Sequence, residues 1–185
     1  MKRLLICLLL LSSFYVKAQL TSGLVYFDKL IDIKGTPNML GYVINTTTLG
    51  DVNTMNLLYI NTETGKAKWV DLPNGTMLLG FKQIKLDNHG INQVAVLARI
   101  YDADKNGRIN MKDPISLFMV STDGSKETFI TQNNFFVRNW EVNEQTATLV
   151  VTGFYDTNYN GRHDDKELNE VQIYDLKTLN LLYKY

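Results

Sequence analysis

A strand-loop-strand pattern that recurs after 54 residues constrains this chain more than any other feature. Its loops read Asp102-Ala-Asp104-Lys-Asn106-Gly107-Arg108-Ile109-Asn110-Met-Lys-Asp113 and Asp156-Thr-Asn158-Tyr-Asn160-Gly161-Arg162-His163-Asp164-Asp165-Lys-Glu167. Each follows an apolar, β-branched run, QVAVLARIY (Gln93–Tyr101) and TATLVVTGFY (Thr146–Tyr155). Further runs follow the loops, Ile115–Val120 and Val171–Tyr174, and turns then lead to the last strands, ETFIT and NLLYKY. A unit that repeats must bury its apolar face against its neighbours, so repeats come before any other fold argument.

A third, degenerate unit precedes these two. Leu24–Ile33, Met39–Asn45, Leu57–Asn61 and Lys66–Leu72 follow the same order, with a middle loop at Thr46–Asn56 that lacks the ligand spacing. The runs are short, rich in Val, Ile, Tyr, Phe and Thr, and bounded by Gly, Asn, Asp and Ser. Phe81–Leu86 and Trp140–Val142 alternate and predict strands with one wet face, whereas the second strands are more continuously apolar and predict burial on both faces. No helical periodicity competes with this reading. The expected class is all-β, with four-stranded antiparallel units at about 24–73, 76–131 and 135–185 in one domain spanning 19–185. Three such units could form an open arc, join a second copy to make six, or curl into a β-sandwich.

The loops carry the chemistry. Hard cations take six to eight oxygen ligands, and a twelve-residue loop can wrap once around such an ion. The expected ligands of the first loop are the side chains of Asp102, Asp104, Asn106 and Asp113, the Arg108 carbonyl, and Asn110 through water. Those of the second are Asp156, Asn158, Asn160, Glu167, the Arg162 carbonyl, and Asp164 directly or through water. Gly107 and Gly161 occupy the sixth position, where the loop turns with a positive φ. Two Ca²⁺ sites are therefore expected. The same residue types also populate ordinary Asx-turns, which need no metal.

Loops of this spelling resemble those of EF-hands and dockerins, position by position. The flanking runs read as strands rather than helices, and in that respect the arrangement is similar to the calcium hairpins of integrin α-subunit propellers. The four-strand rhythm, with Leu117–Ser125 and its Asp-Gly turn, resembles TolB-type β-propeller repeats. That resemblance implies a propeller-like architecture, open or incomplete at three units.

Residues 1–18 read as a signal peptide: Lys2 and Arg3, an apolar stretch from Leu4 to Phe14, and Val16-Lys-Ala18 before Gln19. An extracytoplasmic location, periplasmic or secreted, is the expectation, with no stable membrane insertion after cleavage. Cys7 is the one cysteine of the chain, so the processed chain would have no disulfide. Its sixteen basic and nineteen acidic residues give a net charge of −3, without the basic footprint of a nucleic-acid binder.

Nothing else rises to a catalytic signature. His89 sits in a turn sequence, His163 replaces the usual aliphatic residue at the eighth loop position and predicts looser packing, and Trp69 and Trp140 read as core. The expected function is a non-catalytic binding or scaffold module with structural calcium and a protein or glycan ligand. A polymer-degrading hydrolase or lyase using calcium, and a subunit assembling through blade edges, including a homodimer, are the alternatives.

Overall fold

The computed structural model describes residues 25–46 and 52–185, so the leader expected at 1–18 and the centre of the loop expected at Thr46–Asn56 lie outside the described residues. The described residues form twelve strands. These are β1 (Val25–Asp32), β2 (Asn38–Thr46), β3 (Val52–Asn61), β4 (Ala67–Trp69), β5 (Met77–Leu86), β6 (Ile91–Arg99), β7 (Ser116–Ser121), β8 (Glu127–Phe129), β9 (Phe135–Asn143), β10 (Thr148–Tyr155), β11 (Asn169–Asp175) and β12 (Leu181–Lys184). No α-helix occurs among the described residues, and none of their helices is long and apolar enough to cross a membrane.

The strands form three four-stranded antiparallel meanders, β1-β2-β3-β4, β5-β6-β7-β8 and β9-β10-β11-β12. They are three separate sheets stacked as blades in an open, propeller-like series. One boundary differs from expectation. Val52–Asn56 extend β3 instead of belonging to a loop, because Thr46, Asn45, Ile44 and Val43 pair with Val52, Thr54, Met55 and Asn56.

Two cores lie between the blades. Leu40, Leu57 and Tyr59 of the first blade meet Val94, Val96 and Phe118 of the second. On the opposite face of the second blade, Ala95, Leu117 and Met119 meet Phe135, Leu149 and Val151 of the third. Each large apolar side chain buried this way contributes about 1.5–3 kcal/mol. The second blade is thus covered on both faces, and β7 is buried along nearly its whole length. In β10, buried and half-buried residues mostly alternate, because among the described residues only one face of the third blade has a neighbour. Backbone and amide bonds add register between blades: Asn38 Nδ2 to the Thr122 carbonyl, Gln93 Nε2 to the Leu176 carbonyl, and Val137 N to the Ile115 carbonyl, each 3.0 Å.

The outer face of the first blade remains apolar and open. Val25, Phe27, Leu30 and Trp69 are at least half exposed there. Trp69 is therefore not the core residue expected from its strand position, since short β4 lies at the sheet edge with no blade of the described residues over it. Trp140, by contrast, packs against the core between the second and third blades.

Candidate metal centre

The loops join β6 to β7 and β10 to β11, the central hairpin of their respective blades. Short polar side chains accept hydrogen bonds from nearby backbone N–H groups, and each loop is wound by a series of such bonds. Asp102 accepts from the N–H groups of Asn106 (3.1 Å) and Gly107 (2.8 Å), as Asp156 does from Asn160 (3.2 Å) and Gly161 (2.7 Å). Asp104 and Asn158, at the third position, accept from the same Asn106 and Asn160 N–H groups. Asn106 accepts from Arg108, and Asn160 from Arg162. At the ninth position Asn110 accepts from Lys112 and Asp164 from Lys166.

The acid at the twelfth position closes each loop. Asp113 is fully buried and accepts from the N–H groups of Ala103 (2.9 Å) and Asn110 (2.7 Å). Glu167, 4% exposed, accepts from Thr157 (2.7 Å) and Asp164 (3.3 Å) at the equivalent positions. The same second and ninth positions are thus tied in both loops, although one acid is longer by a methylene. The fourth residue, Lys105 (φ 56°) or Tyr159 (φ 58°), is left-handed in both, ahead of the glycine at the sixth (φ 87° and 73°). This conformation is sparsely populated by non-glycine residues, and nothing in a Lys or Tyr side chain announces it.

In the first loop one carboxylate oxygen from each of Asp102, Asp104 and Asp113 lies within 4.8 Å of the others. Desolvation pushes the Asp104 carboxyl up, but hydrogen bonds from the Asn106 backbone and amide and contact with Asp102 outweigh it, holding it below the usual carboxylate range. The N–H of Lys166, against desolvation and with help from the Asn158 and Asn160 amides, holds Asp164 down in the same direction. In the second loop the amide groups of Asn158 (2.6 Å) and Asn160 (3.5 Å) turn toward Asp164. The Arg108 carbonyl accepts the Asn110 amide, while the Arg108 and Arg162 side chains are exposed, as expected for residues offering only their carbonyls. The donor set is all oxygen, with no thiol or imidazole among the ligand positions, and it fits a hard cation such as Ca²⁺.

His163 is exposed, whereas Ile109 at the same position of the first loop is half-buried. The His163 ring meets Phe154 edge-on at 4.9 Å, and Phe154 also stacks on Phe136 and lies under Arg138. The two loops also touch each other. A Cβ built on Gly161 would lie 2.6 Å from the Lys112 carbonyl oxygen and 2.7 Å from its Cα.

Beside the first loop runs a cleft of about 860 Å³ lined mainly by apolar groups, among them Met55, Met77, Ile100, Tyr101 and Ile109. Among the described residues, Asp102 is the one acid of its lining, which includes no histidine. His89 lies apart from the loops, in a 3-10 turn between β5 and β6.

No protein-family model and no curated sequence matches the chain. Among solved structures it is similar to the β-propeller domain of the Trilobed protease from Pyrococcus furiosus, described as having an open velcro topology, at 12% identity and a TM-score of 0.46. The match covers 89% of this chain and 43% of that one. An acylaminoacyl peptidase from Pyrococcus horikoshii matches at the same identity and TM-score, over 25% of its length. The chain thus spans less than half of each of these proteins, and such likenesses carry no argument about function.

Proposed function

We propose that the chain is an exported, calcium-binding β-repeat module in which calcium is structural and the blades present a binding surface without catalysis. The observation that carries this reading is the repeated loop: two segments 54 residues apart share the same hydrogen bonds at positions 1, 3, 5, 9 and 12. Asp102, Asp104, Asn106, Asn110, Asp113 and the Arg108 carbonyl would hold one ion; Asp156, Asn158, Asn160, Asp164, Glu167 and the Arg162 carbonyl would hold the other. Each ion would neutralise carboxylates that otherwise repel one another and would stiffen a central hairpin. Because the loops touch, the rim they form would stiffen as a unit, and a protein or glycan ligand would meet it at the cleft beside the first loop.

Calorimetric titration of calcium into chelator-stripped protein tests this. Two saturable sites are expected, with Asp102→Ala and Asp156→Ala each removing one; no heat at millimolar calcium would reduce both loops to Asx-rich turns. At ~100-fold excess over Kd, each ion adds about 2.7 kcal/mol of stability. The open apolar face of the first blade favours a second reading, assembly with another copy, which gel filtration distinguishes from a monomer.

A further inference from the structure

Arg99 ends β6, three residues before the first ligand of the first loop, and its side chain is only 7% exposed. Its Nη2 donates to the Met111 carbonyl at 3.3 Å, while Nε and Nη1 are buried without an acceptor. A guanidinium in such a place is costly unless a negative charge lies near. The charge available is Asp113, two residues beyond Met111 and itself fully buried. Burial pushes the Arg99 guanidinium below its ordinary range, and the charge of Asp113 offsets that only in part. The repeat shows what its absence looks like. Gly153 stands 54 residues on, in the strand before the second loop, where a Cβ would lie 2.1 Å from the Phe136 carbonyl oxygen. No side chain fits at that position, and among the described residues Arg99 is the one buried cation, so the second loop has no equivalent of it there.

We propose that Arg99 is a built-in counter-cation of the first loop, a positioning residue that acts through Asp113 and Met111 so that the two loops bind calcium with unequal affinity. The proposal rests on the calcium reading of the loops. In the absence of metal the guanidinium supplies the positive charge that the buried carboxylate needs, and the first loop stays wound. When calcium enters, the same guanidinium repels it, so the first site is the weaker and fills second. The second loop has no such substitute and takes calcium first.

The test is calorimetric calcium titration of full-length Asp156→Ala, which isolates the first loop, alone and combined with Arg99→Gln or Arg99→Lys. Glutamine keeps a donor for the Met111 carbonyl and removes the charge; lysine keeps the charge. The expected result is affinity about fivefold or more tighter with Arg99→Gln and within about twofold of the parent with Arg99→Lys, since a like charge at close range acts on the bound ion only while it is present. A purely structural role would lower the melting temperature without tightening calcium. Unchanged or weaker affinity in Arg99→Gln, with binding intact in the parent, overturns this proposal alone. Absence of calcium heat in the wild type, Asp156→Ala and Asp102→Ala proteins overturns the calcium reading and this proposal with it. Should Arg99→Gln not fold, tighter binding by the first loop (in Asp156→Ala) than by the second (in Asp102→Ala) also overturns it.

Discussion

The first and second loops wind around the same hydrogen bonds, yet the first closes over a buried guanidinium and the second over a wall of aromatic rings. Asp113 has Arg99 nearby, whereas the corresponding strand position behind the second loop is Gly153, pressed against Phe135 and Phe136. The eighth residue differs in the same sense: Ile109 lines the cleft, while His163 packs on Phe154. The lesson is that local chemistry winds a loop, and the strands of its own blade decide which charges and rings it works against.

Substitutions at the points of difference break this comparison, and the largest effect is expected at Gly153. Gly153→Ala places a Cβ 2.1 Å from the Phe136 carbonyl oxygen and 2.7 Å from the Phe135 ring, and backbone there cannot step aside. A loss of about 3 kcal/mol is expected in urea unfolding, at the upper end of ordinary overpacking. A loss below about 1 kcal/mol would mean that the third blade is looser than described.

Gly161→Ala comes next. It combines a φ of 73° with a Cβ at 2.6 Å from the Lys112 carbonyl oxygen, and about 2 kcal/mol of destabilisation is expected. Gly107→Ala shares the positive φ but meets nothing within 4 Å, so it should cost less, and the difference measures the contact between the loops. Equal costs would dissolve that contact.

The smallest effect lies outside the loops, in the turn after β7, and serves as a control on acid behaviour. Hydrogen bonds from Ser121 and Ser125 outweigh desolvation and hold Asp123 down at about 2. A carboxyl depressed in the folded state stabilises above its unfolded value of about 3.9, and that contribution is lost as pH falls through the folded value. Urea midpoints should therefore fall slightly between pH ~4 and ~2, and Asp123→Asn should flatten that part of the curve. An unchanged slope would place the acid sensitivity in the loops instead.

Much of this was legible in the residues themselves. Period-two alternation and β-branched runs marked the strands, and the Asp, Asn and Gly spacing marked the loops, because both signals are local to a few residues. Arg99 left a trace too, a lone charge in the apolar run QVAVLARIY, but no partner could be read for it. Trp69 illustrates the opposite failure: its position in a strand implied burial, and the strand turned out to lie at an edge.

The sequence by itself determined the all-β class, the four-strand rhythm and the oxygen-rich composition of the two loops, since these follow from backbone preference and side-chain chemistry within each segment. The tertiary structure alone decided that the second blade is covered on both faces, that Gly161 meets Lys112, and that a buried cation stands behind one loop while the matching strand position behind the other has no room for a side chain. The first two outcomes depend on which blade face meets which, and the third on how each hairpin folds its loop back over its own strands.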